Sequence, residues 1–166
     1  MVLAVEWGKQ EGLITKEAVW YKEKWKRGMV LENKCRRLRW DYEFKTRTYT
    51  AHNRPDLVLE YLDKKEMFII DQACPKDDDV DNKEREKRIK YQQLAFEIRT
   101  QLPGWKVKVI PSVIGCLGNI SSLVHSIRMV IHRKSALSVV AEMQRTVVTN
   151  SETIIRNIKS GIVVTT

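Results

Sequence analysis

One aspartate interrupts the most strand-like apolar run in the chain. The segment Met67-Phe68-Ile69-Ile70-Asp71-Gln72-Ala73 shows no polar alternation and contains neither Gly nor Pro. A short continuous apolar run of this kind reads as a strand buried on both faces. A carboxylate inside such a strand is costly to bury unless it is paired or bound to a metal. The bland alternative for Asp71 is a strand-end residue that faces solvent or pairs with an arginine.

The neighbouring segments narrow the choice. Asp56 follows the turn-forming Pro55 and opens a second strand, DLVLEYL, and Asp63 to Lys65 reads as a hairpin turn between the two strands. Antiparallel strands joined in this way can set Asp56 and Asp71 side by side. Two carboxylates with a backbone carbonyl make a hard-oxygen site suited to Mg²⁺.

The rest of the chain supplies the layers. Thr15 to Arg27 reads as a short helix stopped by Gly28. Cys35 to Phe44 alternates as a strand, with Leu38, Trp40, Tyr42 and Phe44 on one face and Arg37, Arg39, Asp41 and Glu43 on the other. The spacing of Tyr91, Leu94, Ala95, Ile98 and Leu102 predicts one helix over 81–102, ended by Pro103-Gly104. Trp105 to Ser112 reads as a further strand, and 119–131 and 135–147 as two helices, the second continuing weakly to Lys159. The expected class is α/β with a mixed sheet, in the order α-β-β-β-α-β followed by C-terminal helices. The expected division is a loose segment over 1–14, one domain over 15–147 and a helical or loose tail over 148–166. The terminal residues 1–12 and 160–166 are expected to be loose ends.

Composition allows one ordered domain: the chain has 166 residues, 43% hydrophobic and 31% charged. Its 30 basic and 21 acidic side chains leave a net charge of +9, which favours a polyanionic partner. The charge is uneven, with +6 over residues 1–55, −3 over 56–102 and +6 over 103–166. That pattern suits carboxylates holding a metal between basic flanks that hold phosphates. The acidic run Asp77 to Asp81 reads more simply as a solvated loop. The three cysteines, Cys35, Cys74 and Cys116, follow no zinc or disulfide spacing. No apolar stretch approaches the ~20 residues that span a bilayer. A soluble, intracellular protein with no membrane role is the expectation.

Several motifs together resemble a known family. HNRPDLVL, IIDQACP, KEREKRIKYQQL and KVKVIPSVIGCLGNI stand in this order, preceded by WYKEKW, VLENK and LRWDYEF and followed by KSALSVVAEMQRTV. Over roughly residues 20–147 the chain resembles the restriction-like endonuclease domain of non-LTR (LINE-type) retrotransposon polyproteins, a branch of the PD-(D/E)XK nucleases. The resemblance implies a Mg²⁺-dependent DNA endonuclease, with Mn²⁺ as a substitute, that nicks target DNA to prime reverse transcription. It makes Asp56 and Asp71 the metal-binding acids, with Gln72 offering its backbone carbonyl. The family's lysine comes from the following helix, where Lys87 and Lys90 stand beside Tyr91. Lys87 lies one turn before Tyr91 on the apolar stripe and is preferred. Tyr91, Glu32 and His52 are accessory candidates, and Arg36, Arg37, Arg39, Arg54, Lys106 and Lys108 are candidates for gripping the DNA backbone. The implied partners are DNA and, within a larger polyprotein, element RNA or the reverse transcriptase portion, with nuclear localisation.

The chain departs from the family at Glu23, where a histidine is usual, and at Gln72, where an aliphatic residue is frequent. It also lacks a reverse transcriptase and a zinc knuckle ahead of the domain. An excised domain, a truncated copy, a host-adopted derivative and a catalytically inactive nucleic-acid-binding relic therefore remain open, as does a protein-interaction domain without a nucleic-acid role.

Overall fold

The apolar run forms the strand expected of it. In the structure, a computed structural model that describes residues 1–159, the strands β1 (Met29–Glu32), β2 (Arg36–Trp40), β3 (Leu57–Tyr61), β4 (Glu66–Ala73) and β5 (Lys106–Val113) make one sheet in that order. The pairs β1–β2, β2–β3 and β3–β4 are antiparallel, and β4–β5 is parallel. The chain is therefore mixed α/β. A parallel pair needs a crossover, supplied here by α2 (Val80–Lys90) and α3 (Gln92–Gln101).

Both faces of β4 are covered, as its unbroken apolar character demands. On one face Phe68 and Ile70 join Leu57, Leu59 and Ile110 in a core closed by α1 (Val2–Gln10), α4 (Leu123–Ile127) and α5 (Arg133–Lys159). On the other face Met67 and Ile69 pack with Val58, Val107, Tyr91, Leu94, Ala95 and Ile98.

The structure differs from the sequence reading in several places. The N-terminal residues are not loose: Leu3, Val5 and Trp7 of α1 are fully buried. Residues 15–27 form turns rather than a helix. That stretch has a single buried residue, Ala18, and its tryptophans are held individually, Trp25 against Trp40 at 5.3 Å between ring centroids and Trp20 with its indole N–H to Glu142 at 3.4 Å. With no apolar stripe to bury, a helix gains little there. β2 ends at Trp40 because Asp41 turns into the left-handed region (φ 46°), where Arg54 clasps its carboxylate at 2.6 and 2.7 Å. β1, four residues of half-buried alternation, was not expected.

The helix expected over 81–102 is two helices that part at Tyr91, whose backbone flattens to ψ 7°. Leu102 lies beyond α3 and is partly exposed. The helix expected over 119–131 shrinks to α4, while α5 is one continuous helix of 27 residues. Residues 160–166 lie outside the described residues. Among the described residues no helix is long and apolar enough to cross a membrane.

The acidic run after β4 is more than a solvated loop. Asp77 accepts hydrogen bonds from the backbone N–H of Leu117 at 3.1 Å and of Asn119 at 3.4 Å, fastening the loop after β5 to the end of β4. Gly115 makes room for it, since a Cβ there would lie 1.7 Å from Asp77 Oδ1 and 3.0 Å from its Cα. Gly115→Ala is expected to cost about 1–3 kcal/mol through overpacking. Urea denaturation should show a lower midpoint, and an unchanged midpoint would mean that the loop yields freely.

Candidate active site

The register sets the two aspartates opposite each other. Leu57 pairs with Ile70, so Asp56, one residue before, faces Asp71, one residue after. Period-two alternation then sends both side chains to the α2–α3 face, the face on which Val58 and Ile69 are buried. Asp56 is half-buried at the mouth of β3, and Asp71 is 3% exposed near the end of β4.

Each carboxylate is held by specific donors. The backbone N–H of Gln72 donates to Asp56 Oδ2 at 2.7 Å. The main chain at Asp56 is fixed from the other side, its carbonyl accepting the N–H of Asp41 at 2.8 Å. Asp71 Oδ2 accepts from the Lys87 ammonium, and Asp71 Oδ1 accepts from the Tyr91 hydroxyl at 2.7 Å. A second ammonium, that of Lys90, stands 3.6 Å from Asp71 Oδ2 and 4.7 Å above the Tyr91 ring. The same Tyr91 hydroxyl lies 3.3 Å from the Arg54 carbonyl, tying the turn before Asp56 to the helix pair.

Local structure explains why both lysines arrive together. Lys87 and Lys90 stand at i and i+3 in α2, only about 60° apart around the helix axis, so both fall on one face. The break at Tyr91 lets its ring enter the core beneath Asp71 while the last turn of α2 faces the carboxylate. Lys87 is the more enclosed of the two, 14% exposed against 27%.

The electrostatics follow from this packing. Burial holds the Asp56 carboxyl above its ordinary range, and the charge of Asp71 pushes the same way; the Gln72 amide and the two lysines oppose them. Burial and the hydrogen bond to Asp71 push the Tyr91 phenol far up, so it acts as a neutral donor. A single ion pair would need one lysine and one carboxylate. Here two carboxylates share a wall with two ammonium groups, an arrangement found where a site must balance added charge.

The donor set fits a divalent cation. Two aspartate oxygens on one face supply hard anionic ligands, and Asp71 retains lone pairs beyond those given to Lys87 and Tyr91. The cation would relieve the repulsion that raises the Asp56 carboxyl. Among the described residues no group of three or more His, Cys, Asp or Glu side chains gathers to hold a metal. The side chains that could hold such a cation are therefore those of Asp56 and Asp71. The Gln72 amide is engaged by Asp56.

The other candidates are distributed differently. His52 lies beside the site, its ring centroid 6.5 Å from that of Tyr91. Glu32 sits two strands away on β1 and is bound by Arg37 at 2.6 Å. Arg37 and Arg39 also clamp the buried Glu60, and Arg36 bridges Glu11 and Asp63. Arg54 is the partner of Asp41. Lys106 and Lys108 alternate with Val107 and so belong to the opposite face of β5, Lys106 pairing with Glu66 at 3.9 Å and Lys108 lying over Phe68. The structure therefore brings Asp56, Asp71, Gln72, Lys87, Lys90, Tyr91 and His52 together, and sets Glu32 and the arginines of β2 apart. Sequence patterning gave no hint that those arginines answer Glu60, because the pairing spans more than twenty residues.

Comparison with family models, with curated proteins and with solved structures finds no match for this chain.

Proposed function

We propose that the chain is a metal-dependent DNA endonuclease domain of the PD-(D/E)XK type, related to those of non-LTR retrotransposons. The observation that carries this reading is the meeting of Asp56, Asp71 and Lys87 on one face at the end of β4. The order of α1, the antiparallel strands, the α2–α3 crossover and β5 is compatible with that nuclease core. The net charge of +9 supports a polyanionic substrate.

Asp56 and Asp71 would hold Mg²⁺ or Mn²⁺, which supplies Lewis-acid polarisation of the scissile phosphate and a more acidic bound water. Lys87, beside Asp71, would orient the attacking water and stabilise the charge developing on the phosphoryl oxygens. Tyr91 holds the Asp71 carboxylate in position by donating to Oδ1 at 2.7 Å. Lys90 lies at the edge of the site and suits a flanking phosphate. A single-strand cut made by this domain would leave the 3′-hydroxyl from which reverse transcription starts.

The test is conversion of supercoiled plasmid to the nicked form in Mg²⁺ or Mn²⁺, abolished by chelator and by Asp56→Asn. The pH profile carries a second expectation. Asp56 binds the cation as the anion, and its carboxyl lies above the ordinary value of 3.8. Falling pH protonates it earlier than an exposed aspartate, so cation affinity and nicking decline together on acidification from a higher starting pH. Calorimetric metal titration across pH should show that decline. Cleavage that ignores both chelator and Asp56→Asn would overturn the reading.

A further inference from the structure

Residues 44–53 form a closed loop whose base is tied twice, by the Phe44 N–H to the Asn53 carbonyl at 2.8 Å and by the Asn53 side-chain amide to the Phe44 carbonyl at 3.1 Å. Compact loops with joined ends are frequent carriers of function. This one lies along α3. Gln101 donates to the Lys45 carbonyl at 3.3 Å, Glu97 accepts from the Arg47 N–H and the Thr48 hydroxyl, and Gln93 donates to the Tyr49 carbonyl at 3.0 Å. Gln93, Glu97 and Gln101 recur every four residues, one polar stripe on one helix face.

That stripe fixes the loop backbone but leaves its largest side chain free. Tyr49 is 89% exposed, while Glu97 beneath the loop is buried and its carboxyl is held low by the Thr48 hydroxyl and the loop amides. Spending a buried carboxylate on a surface loop has a physical purpose when the loop must present something rigidly. Lys45 and Arg47, both exposed, precede Tyr49 in the same loop. Three residues further on, His52 packs against Tyr91, the donor to Asp71. The Tyr49 main chain is therefore within about 10 Å of His52, three extended residues away.

We propose that this loop is a base platform: Tyr49 stacks on an unpaired nucleobase of a DNA strand whose phosphates lie against Lys45 and Arg47 and lead to the Asp56–Asp71 pair. The inference rests on the nuclease reading and refines it, making the substrate a strand with an unpaired base beside the cut. An aromatic face accepts any base, so the platform confers a preference for unpaired structure without reading sequence. The pinned backbone lowers the ordering cost of stacking.

The experiment uses the full chain carrying Asp71→Asn, which cannot cleave, and measures binding by fluorescence anisotropy. The probes are a labelled oligo-dT strand and a blunt duplex. Tyr49→Ala should weaken oligo-dT binding between about 5-fold and 100-fold, the loss expected of one stacked base. Duplex binding should move less than 2-fold, and Tyr49→Phe should keep the ring and the affinity. The salt slope should be the same with and without the Tyr49 ring, whereas Arg47→Ala should lower it by about 0.7. Tyr49→Ala that binds oligo-dT as tightly as its parent would overturn the proposal and leave the ring to a protein partner. Nicking by the otherwise unaltered chain, measured separately, reports on the nuclease reading: a ring-dependent affinity without nicking keeps the platform and removes the enzyme.

Discussion

Lys87→Ala should lower the nicking rate by about 10²–10⁴-fold, the range for losing a positioned proton-transfer or charge-stabilising group. DNA affinity should change less than about 3-fold, since one ammonium is a small share of many phosphate contacts. Lys90→Ala should cost less rate, because its ammonium is 3.6 Å from Asp71 and more exposed. Folding must be separated from chemistry. Removing Lys87 leaves Asp71, 3% exposed, with Tyr91 and the more distant Lys90 as its donors. Breaking a buried pair in this way costs up to about 3–5 kcal/mol. The double variant Lys87→Ala with Asp71→Asn removes the stranded charge and should recover stability without recovering cleavage. A Lys87→Ala protein that melts normally and nicks at the unaltered rate would refute the role given to Lys87. A dead Lys90→Ala protein would shift that role one turn along α2.

Trp7→Ala should lose about 3–5 kcal/mol, a large share of the ~5–15 kcal/mol available to a domain. Trp7 is fully buried, and its indole N–H donates to the Tyr61 hydroxyl at 2.9 Å. That hydroxyl in turn donates to the Val130 carbonyl at 3.0 Å, so one tryptophan joins α1, β3 and the turn after α4. The rings of Trp7 and Tyr61 meet edge-on at 5.7 Å, which adds to the area buried. Truncation leaves a cavity and deprives the phenol of a partner. Chemical denaturation is the measurement, with a midpoint well below that of the unaltered chain. An unchanged midpoint would make α1 peripheral and return the N-terminus to the loose segment expected from its sequence.

The parts of this molecule that sequence alone determined are those governed by a short period. The unbroken apolar run of β4, the turn after Pro55 and the hairpin at Asp63 to Lys65 specify two antiparallel neighbours, and alternation puts Asp56 and Asp71 on one face. The apolar stripe from Tyr91 to Ile98 likewise specifies which face of the helix meets the sheet. Tertiary structure decided the rest. Whether residues 2–10 are a loose end or a buried helix depends on α5, more than a hundred residues away. The break at Tyr91 arises where a phenol must reach a carboxylate, and nothing in the local sequence demands it. The arginines of β2, which alternation alone leaves free for DNA, are taken up by Glu60, Glu32, Glu11 and Asp63. The polar stripe Gln93–Glu97–Gln101 reads as a solvated face until a loop fifty residues earlier lies along it. Periodicity records that a side chain is buried or exposed to a first approximation, because each residue carries its own transfer free energy. It cannot record the partner, because a charge or hydrogen-bonding group is satisfied by whichever complement folding brings within about 3 Å.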